Sequence, residues 1–312
     1  MPKRRWKMHS SDNQENTNLF TLDSDNIRKK YPFLTDYFTK GIENPDKNVA
    51  HSILFYGSDI KSQFELALEV ARILNCTGTR STDCSCLNCR WIRENKHPAV
   101  LTISRLDNRA PEDEGKAGNN ISVDQARMIK NELMIMSDYH RVLIFCDRDK
   151  DGNISGLNEV NFPEIAANAL LKTFEEPPAK TTFFFLTKDR SDVITTIVSR
   201  CQCFFVPSMN EESRDFSLVK NIMENYLERT RNEVLDFNDE LMVLLKENNP
   251  SEIFMQMQNY MTELLKSNHE NKLLAIKLIK DINSVEKAKK EYKLNMNIQT
   301  ISENLAFDLI LN

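Results

Sequence analysis

Apolar positions in this chain switch repeatedly between continuous runs and helical spacing, and each switch marks an element. A run at 52–56 (SILFY) reads as a buried strand. Residues 61–74 carry Phe64, Leu68, Ala71 and Leu74 at helical spacing. A strand follows at 100–103, a helix at 123–136 and a strand at 142–145. Ile165, Ala169, Leu170 and Phe174 then pave one face of a helix that Pro177 and Pro178 stop. The continuous apolar run Phe183 to Leu186 predicts a strand buried on both faces. A short helical segment delivers Ser199, Arg200 and Cys201 to a loop before a strand at 203–206. Ahead of all this, 27–41 has the pattern of an amphipathic helix. Strands alternating with helices as far as Val206 predict an α/β unit, a parallel sheet covered on both faces.

After Pro207 the strand signals stop. Residues 218–235, 239–246, 253–265, 272–292 and 299–311 read as helices, an all-α remainder. Two stretches lack any such pattern. One is a polar tail, 1–26, whose Lys3–Lys7 cluster reads as a solvated tail or as a phosphate contact. The other is 107–120, which reads as a polar loop.

The 312 residues suffice for two or three domains, and 40% apolar with 28% charged residues is a soluble globular balance. A net charge of −5 argues against a surface built to grip nucleic acid unaided. Membrane spans and a secretory leader are not expected, since neither an 18-residue apolar run nor a leader-like apolar stretch occurs. Clustered cysteines suit a metal better than disulfides, which implies a reducing, cytoplasmic setting.

Cys76, Cys84, Cys86 and Cys89 fall within fourteen residues. Four thiolates in so short a span can close a tetrahedral zinc site, which would be structural because every position is taken by protein. The single residue between Cys84 and Cys86 is tighter than the usual two, and free thiols crowded into a loop are the alternative. Cys146, Cys201 and Cys203 read as buried small hydrophobes on strands.

Gly57 to Ser62 lies between a strand and a helix, where a phosphate-binding loop would stand. Three residues separate Gly57 from Lys61 instead of five, the second glycine is missing, and Asp59 adds repulsion. Lys61 and Ser62 are left as weak cofactor-binding candidates for an anion at the helix N-terminus, and tight ATP binding by this chain is not expected. The strand at 142–145 ends in Cys146, Asp147 and Arg148. A hydrolysing ATPase sets acidic residues there to hold magnesium, and one Asp remains. Asp147, Asp149, Asp151, Gly152, Asn153 and Ser155 imitate a calcium loop but lack its closing Glu, so an exposed insertion with turn residues competes with calcium. None of His9, His51, His97, His140 or His269 stands in a recognisable acid–base group. Arg200 has two readings, a salt bridge at a strand edge or a guanidinium supplied to ATP on an adjacent subunit.

These segments together resemble the bacterial DNA polymerase III clamp-loader family, AAA+ proteins, in its delta prime form. The resemblance rests on SILFYG (52–57), the four cysteines, ISVDQAR (121–127), VLIFCD (142–147), AANALLKTFEEPP (166–178), TTIVSRCQ (195–202) and NMNIQTISENLAFDLI (295–310). After the polar tail (1–26) it implies a RecA-like AAA+ domain (27–207) with a zinc module (76–89), a helical lid (208–248) and a helical collar (249–312). It also implies a hetero-oligomeric ring with gamma/tau-type ATPase subunits and a delta-type clamp-opening subunit. That ring opens the sliding clamp and places it on primed DNA. Within it the chain would be non-hydrolysing, with Arg200 completing a neighbour's ATP site; an active gamma/tau-type motor is the competing expectation.

Overall fold

The computed structural model describes residues 21–43, 49–107, 118–149, 152–158, 160–208, 216–268 and 271–311. The chain divides into two compact units, one taking in residues up to Lys30 and Leu34–Phe204, the other Tyr31–Phe33 and everything from Phe205 on.

Thirteen elements bear on the first unit: α1 (Ser24–Lys30), α2 (Pro32–Glu43), β1 (Ser52–Tyr56), α3 (Ile60–Asn75), α4 (Leu87–Arg93), β2 (Val100–Ile103), α5 (Val123–Leu133), β3 (Arg141–Phe145), the short β4 (Asp147–Arg148) and β5 (Ile154–Ser155), α6 (Glu164–Glu175), β6 (Thr181–Thr187) and α7 (Thr195–Val198). Strand β7 (Gln202–Phe205) runs up to the boundary between the units. The main sheet has the order β2-β3-β6-β1-β7. Strand β6 pairs in parallel with both β1 (Ser52 opposite Phe183) and β3 (Leu143 opposite Phe183), and β2 with β3. This is the expected RecA-like α/β arrangement.

All seven residues of β6 are buried, and its alternation explains why. Phe183 and Phe185 meet Phe174 of α6 edge-on at 5.0 Å, and Phe185 stacks on Phe145 at 5.0 Å. On the opposite face Phe184 lies 5.3 Å from Phe55, and Phe38 of α2 packs against both. Each such ring contributes about 1.5–3 kcal/mol by leaving water.

Three sequence expectations shift here. The helix expected over 27–41 is two helices, because Pro32 lacks an N–H and disfavours helical geometry at Tyr31. The buried face of α6 runs through Ala166, Ala167, Leu170 and Phe174, whereas Ile165 is 72% exposed. Helix α3 is buried on nearly every side rather than along one stripe. The chain is also ordered before residue 27: Leu22 is buried and its N–H donates to the Arg93 carbonyl. The Lys3–Lys7 cluster and most of the 107–120 loop lie outside the described residues.

The second unit is helical: α8 (Lys220–Met223), α9 (Val234–Glu247), α10 (Pro250–Ser267), α11 (Lys272–Lys293) and α12 (Ile298–Leu311). The single helix expected at 218–235 is broken. Thr230 and Glu233 form a capping box, the Thr230 N–H donating to Glu233 Oε2 at 2.7 Å, and this box starts a new helical run. Residues from 219 to 309, including Phe237, Met257 and Leu305, share one apolar core. The helices assigned by sequence to lid and collar thus bury their faces against common neighbours. Among the described residues no helix is long and apolar enough to cross a membrane.

Candidate functional site

The loop after β1 lies at the C-terminal edge of the sheet, where open parallel sheets take ligands. Gly57 adopts φ 142°, a conformation that side chains resist, and its N–H reaches the Thr187 and Lys188 carbonyls at 3.2 Å. Two residues later Asp59 caps α3. Its carboxylate accepts the Ser62 N–H at 3.0 Å and the Ser62 hydroxyl at 2.7 Å. Lys30 of α1 donates to Asp59 Oδ2 at 3.3 Å and to Ser62 Oγ at 2.5 Å. Burial opposes ionisation of Asp59, but the Ser62 hydroxyl, the Ser62 N–H and Lys30 prevail and hold its carboxyl below the ordinary value. An internal carboxylate with its own ammonium thus stands at the helix N-terminus, the position that favours an anion. Of the two sequence candidates, Ser62 belongs to this cluster and Lys61 is exposed.

At the end of β3 each of the two charged residues has an opposite partner. Arg105 Nε donates to Asp147 Oδ1 at 3.0 Å, and Arg148 pairs with Asp107 at 3.4 Å. The segment read as a calcium-loop mimic contains a small hairpin. Asp147 is opposite Ser155, and Asp149 receives the Asn153 N–H at 2.8 Å, so its carboxylate serves a turn. His97 and His140 are pushed down to about 4, burial being the first cause, and His140 Nε2 lies 2.8 Å from Thr182 Oγ1.

Arg200 follows α7 at the sheet edge. Its Nε donates to Glu175 Oε1 at 2.6 Å, Nη2 pairs with the same carboxylate, and Nη1 donates to the Thr196 carbonyl at 2.8 Å and to Ser199 Oγ at 3.3 Å. The Arg200 side chain is 31% exposed and that of Glu175 45%. Both elements singled out by sequence, the Glu-Glu-Pro-Pro helix end and Ser199-Arg200-Cys201, therefore meet in this pair. The role of Glu175 was not read from the sequence. Cys146 is buried as expected, but Cys201 and Cys203 are half-buried.

The sulfur atoms of Cys76, Cys84, Cys86 and Cys89 all lie within 4.8 Å of one another. A tetrahedron with metal–sulfur bonds of ~2.3 Å has sulfur–sulfur edges of ~3.8 Å. The Cys76 and Cys84 sulfurs are 3.5 Å apart, so small side-chain shifts would close such a site, and the tight Cys84–Cys86 spacing does not prevent it. Backbone donors point at the sulfurs. Cys76 Sγ accepts the Gly78 and Arg80 N–H groups at 3.3 Å each. The Cys86 N–H draws the Cys84 thiol down; at Cys86 burial is outweighed by the Cys89 and Thr77 N–H groups, which bring it to about 6. Burial pushes the Cys89 thiol up. This centre can hold a metal ion.

A family model described as "DNA polymerase III, delta subunit" matches residues 33–210. DNA polymerase III subunit tau of Salmonella typhimurium is 28% identical over 181 residues, covering 57% of this chain and 25% of that protein. Subunit delta' of Haemophilus influenzae is 27% identical over 205 residues, covering 62% and 55%. Subunit delta' of Buchnera aphidicola subsp. Schizaphis graminum is 25% identical over 253 residues, covering 80% and 70%. The chain thus spans a quarter to about half the length of the first two. The family match takes in β1, the capped loop, the cysteine centre, α6 and Arg200, and the chain belongs to the DNA polymerase III delta-subunit family, as a delta prime-type member.

Proposed function

We propose that this chain is a subunit of a DNA polymerase III clamp loader that does not hydrolyse ATP itself and lends Arg200 to ATP held by a neighbouring gamma/tau-type subunit. The observation that carries the reading is the Asp59 cap. A phosphate-binding loop needs bare N–H groups at the start of the helix after β1, and here the Ser62 N–H is taken by a carboxylate balanced by Lys30. A triphosphate would have to displace a neutralised pair and then meet a loop too short to encircle it. Asp147, matched by Arg105, is likewise not free to hold magnesium.

Arg200 supports the second half. Its pair with Glu175 is open to water, and exposed pairs are worth only about 0–1 kcal/mol. The guanidinium can leave that carboxylate for a phosphate at little cost. Fingers of this kind raise rates on the order of 10³–10⁵-fold.

The cysteine centre is read as a structural zinc site. Zinc bound by all four thiolates would have no open position, so it would cross-link the 76–89 loop and supply no catalysis. The partners proposed are gamma/tau-type ATPases, a delta-type subunit, the sliding clamp and primed DNA, in the cytoplasm. Residues 208–248 and 249–312 would serve as lid and collar.

The experiment is a titration of the purified chain with Mg·ATP, then its addition to the other loader subunits. The expected result is no saturable binding below about millimolar ATP and clamp loading that depends on this chain. Micromolar binding with turnover by the chain alone would instead favour the active motor, the reading that the tau relatives bring.

A further inference from the structure

Arg72 is a long, charged side chain with no exposed surface at all, and every one of its donors has a partner. Nε and Nη2 grip the two oxygens of Glu69 at 2.8 and 2.7 Å. Nη2 also donates to the Arg80 carbonyl at 3.2 Å, and Nη1 to the Ser81 carbonyl at 3.0 Å. The remaining Nη1 donor points at Cys89 Sγ, 3.4 Å away. A guanidinium carries five N–H donors, so this one sulfur completes the set.

Arg72 is not the only guanidinium on this carboxylate. Glu69, also fully buried, is shared with Arg28, whose Nε donates to it at 2.7 Å. Two guanidinium groups and one carboxylate leave a surplus of one positive charge. Water reaches Arg28, whose side chain is 25% exposed, so the buried Arg72–Glu69 pair is itself neutral; the Arg72 N–H aimed at Cys89 is nevertheless better met by a thiolate than by a neutral thiol. Four thiolates around a divalent cation carry a net charge of −2, which this guanidinium complements.

We propose that Arg72 is the positioning residue of the metal centre. It orients Cys89, anchors the ligand loop through the Arg80 and Ser81 carbonyls, and places a positive charge beside one ligand sulfur. The inference rests on the metal reading of the previous subsection and adds to it a residue outside the ligand set. Groups of this kind, which touch a ligand but not the ion, typically change metal affinity 10–100-fold.

The test measures zinc affinity of the full chain by competition with a chromophoric chelator, alongside the sulfur-to-cobalt absorption of the cobalt-loaded protein. Arg72→Met alone would leave the buried Glu69 with Arg28 as its one cation and cost folding stability, so the informative variant is Glu69→Gln/Arg72→Met, with folding checked by circular dichroism. Zinc affinity 10–100-fold weaker in the folded double variant is expected, with a shifted cobalt band. Arg72→Lys, which keeps the charge, should retain more affinity than the double variant. Wild-type affinity in the folded double variant would overturn the proposal while leaving the zinc site standing. The double variant leaves the net charge of the cluster unchanged, so equal losses in Arg72→Lys and the double variant would overturn the role of a positive charge beside Cys89. A wild-type chain that binds no zinc would remove the metal reading itself and this inference with it.

Discussion

Replacing Asp59 by Ala removes three things at once: the cap on α3, the acceptor of the Ser62 hydroxyl, and the carboxylate paired with Lys30. Losing an N-cap costs about 1 kcal/mol. The Lys30–Asp59 side chains are only 19% and 10% exposed, so the charged hydrogen bond adds roughly 1–3 kcal/mol. The sum is about 2–4 kcal/mol, a drop of roughly 5–15 °C in the melting temperature of a unit of this size. Asp59→Asn keeps an acceptor for the Ser62 N–H and should cost about half as much. The assay is urea unfolding and calorimetry of wild type and both variants, with Lys30→Met added to close a double-mutant cycle. Because the folded Asp59 carboxyl titrates below the unfolded value of 3.8, its contribution is complete above that pH. It fades as pH falls through the folded value, so wild type and Asp59→Ala should converge in strong acid. An Asp59→Ala protein within ~0.5 kcal/mol of wild type at pH 7, the spread of an ordinary surface change, would refute the claim that this carboxylate seals the helix end.

Further outcomes follow from the same structure. Phe174→Ala opens a hole among Phe145, Phe183 and Phe185 and should cost about 3–5 kcal/mol by urea unfolding. His97 has a folded value of about 4 against 6.5 when unfolded, so its burial stabilises fully above pH 6.5 and progressively less down to pH 4. That window is worth up to about 3 kcal/mol, and in His97→Asn, which keeps an acceptor for the Ala99 N–H, the slope of stability against pH between 4 and 6.5 should flatten. Stripping metal with a chelator should expose the four sulfurs to a thiol reagent and lower the melting temperature, an effect lost in Cys89→Ser.

Much of the fold could be read from the chain because its central strands are unambiguous. Ser52–Tyr56 and Val100–Ile103 begin and end where the sequence placed them: the first is buried throughout, and the second, an edge strand with only Ile103 buried, is a short run of β-branched and apolar residues. Helix boundaries were harder. The break at Pro32 and the restart at Thr230 are local backbone signals inside otherwise helical periodicity, and periodicity alone passes over both. Ile165 fits the period of α6 yet faces water, and the buried face is turned onto its neighbours Ala166 and Ala167 instead. At the site, the cysteine cluster and Arg200 were visible as motifs, whereas their partners were not. Glu175, Lys30 and Arg72 lie 25, 29 and 17 positions from the residues they hold, a distance no spacing rule covers. Asp59 was seen but read as a repulsive charge. Three positions before Ser62 it is equally an N-cap signature, and the helix uses it as one.

The central claim is that a chain whose own phosphate position is filled by its side chains completes another subunit's ATP site. The most direct measurement is DNA-stimulated ATP hydrolysis by the assembled loader containing Arg200→Ala, with assembly verified by gel filtration. Turnover at the adjacent site should fall by about 10³-fold or more while the complex stays intact. A rate unchanged from wild type in a fully assembled complex would contradict the account.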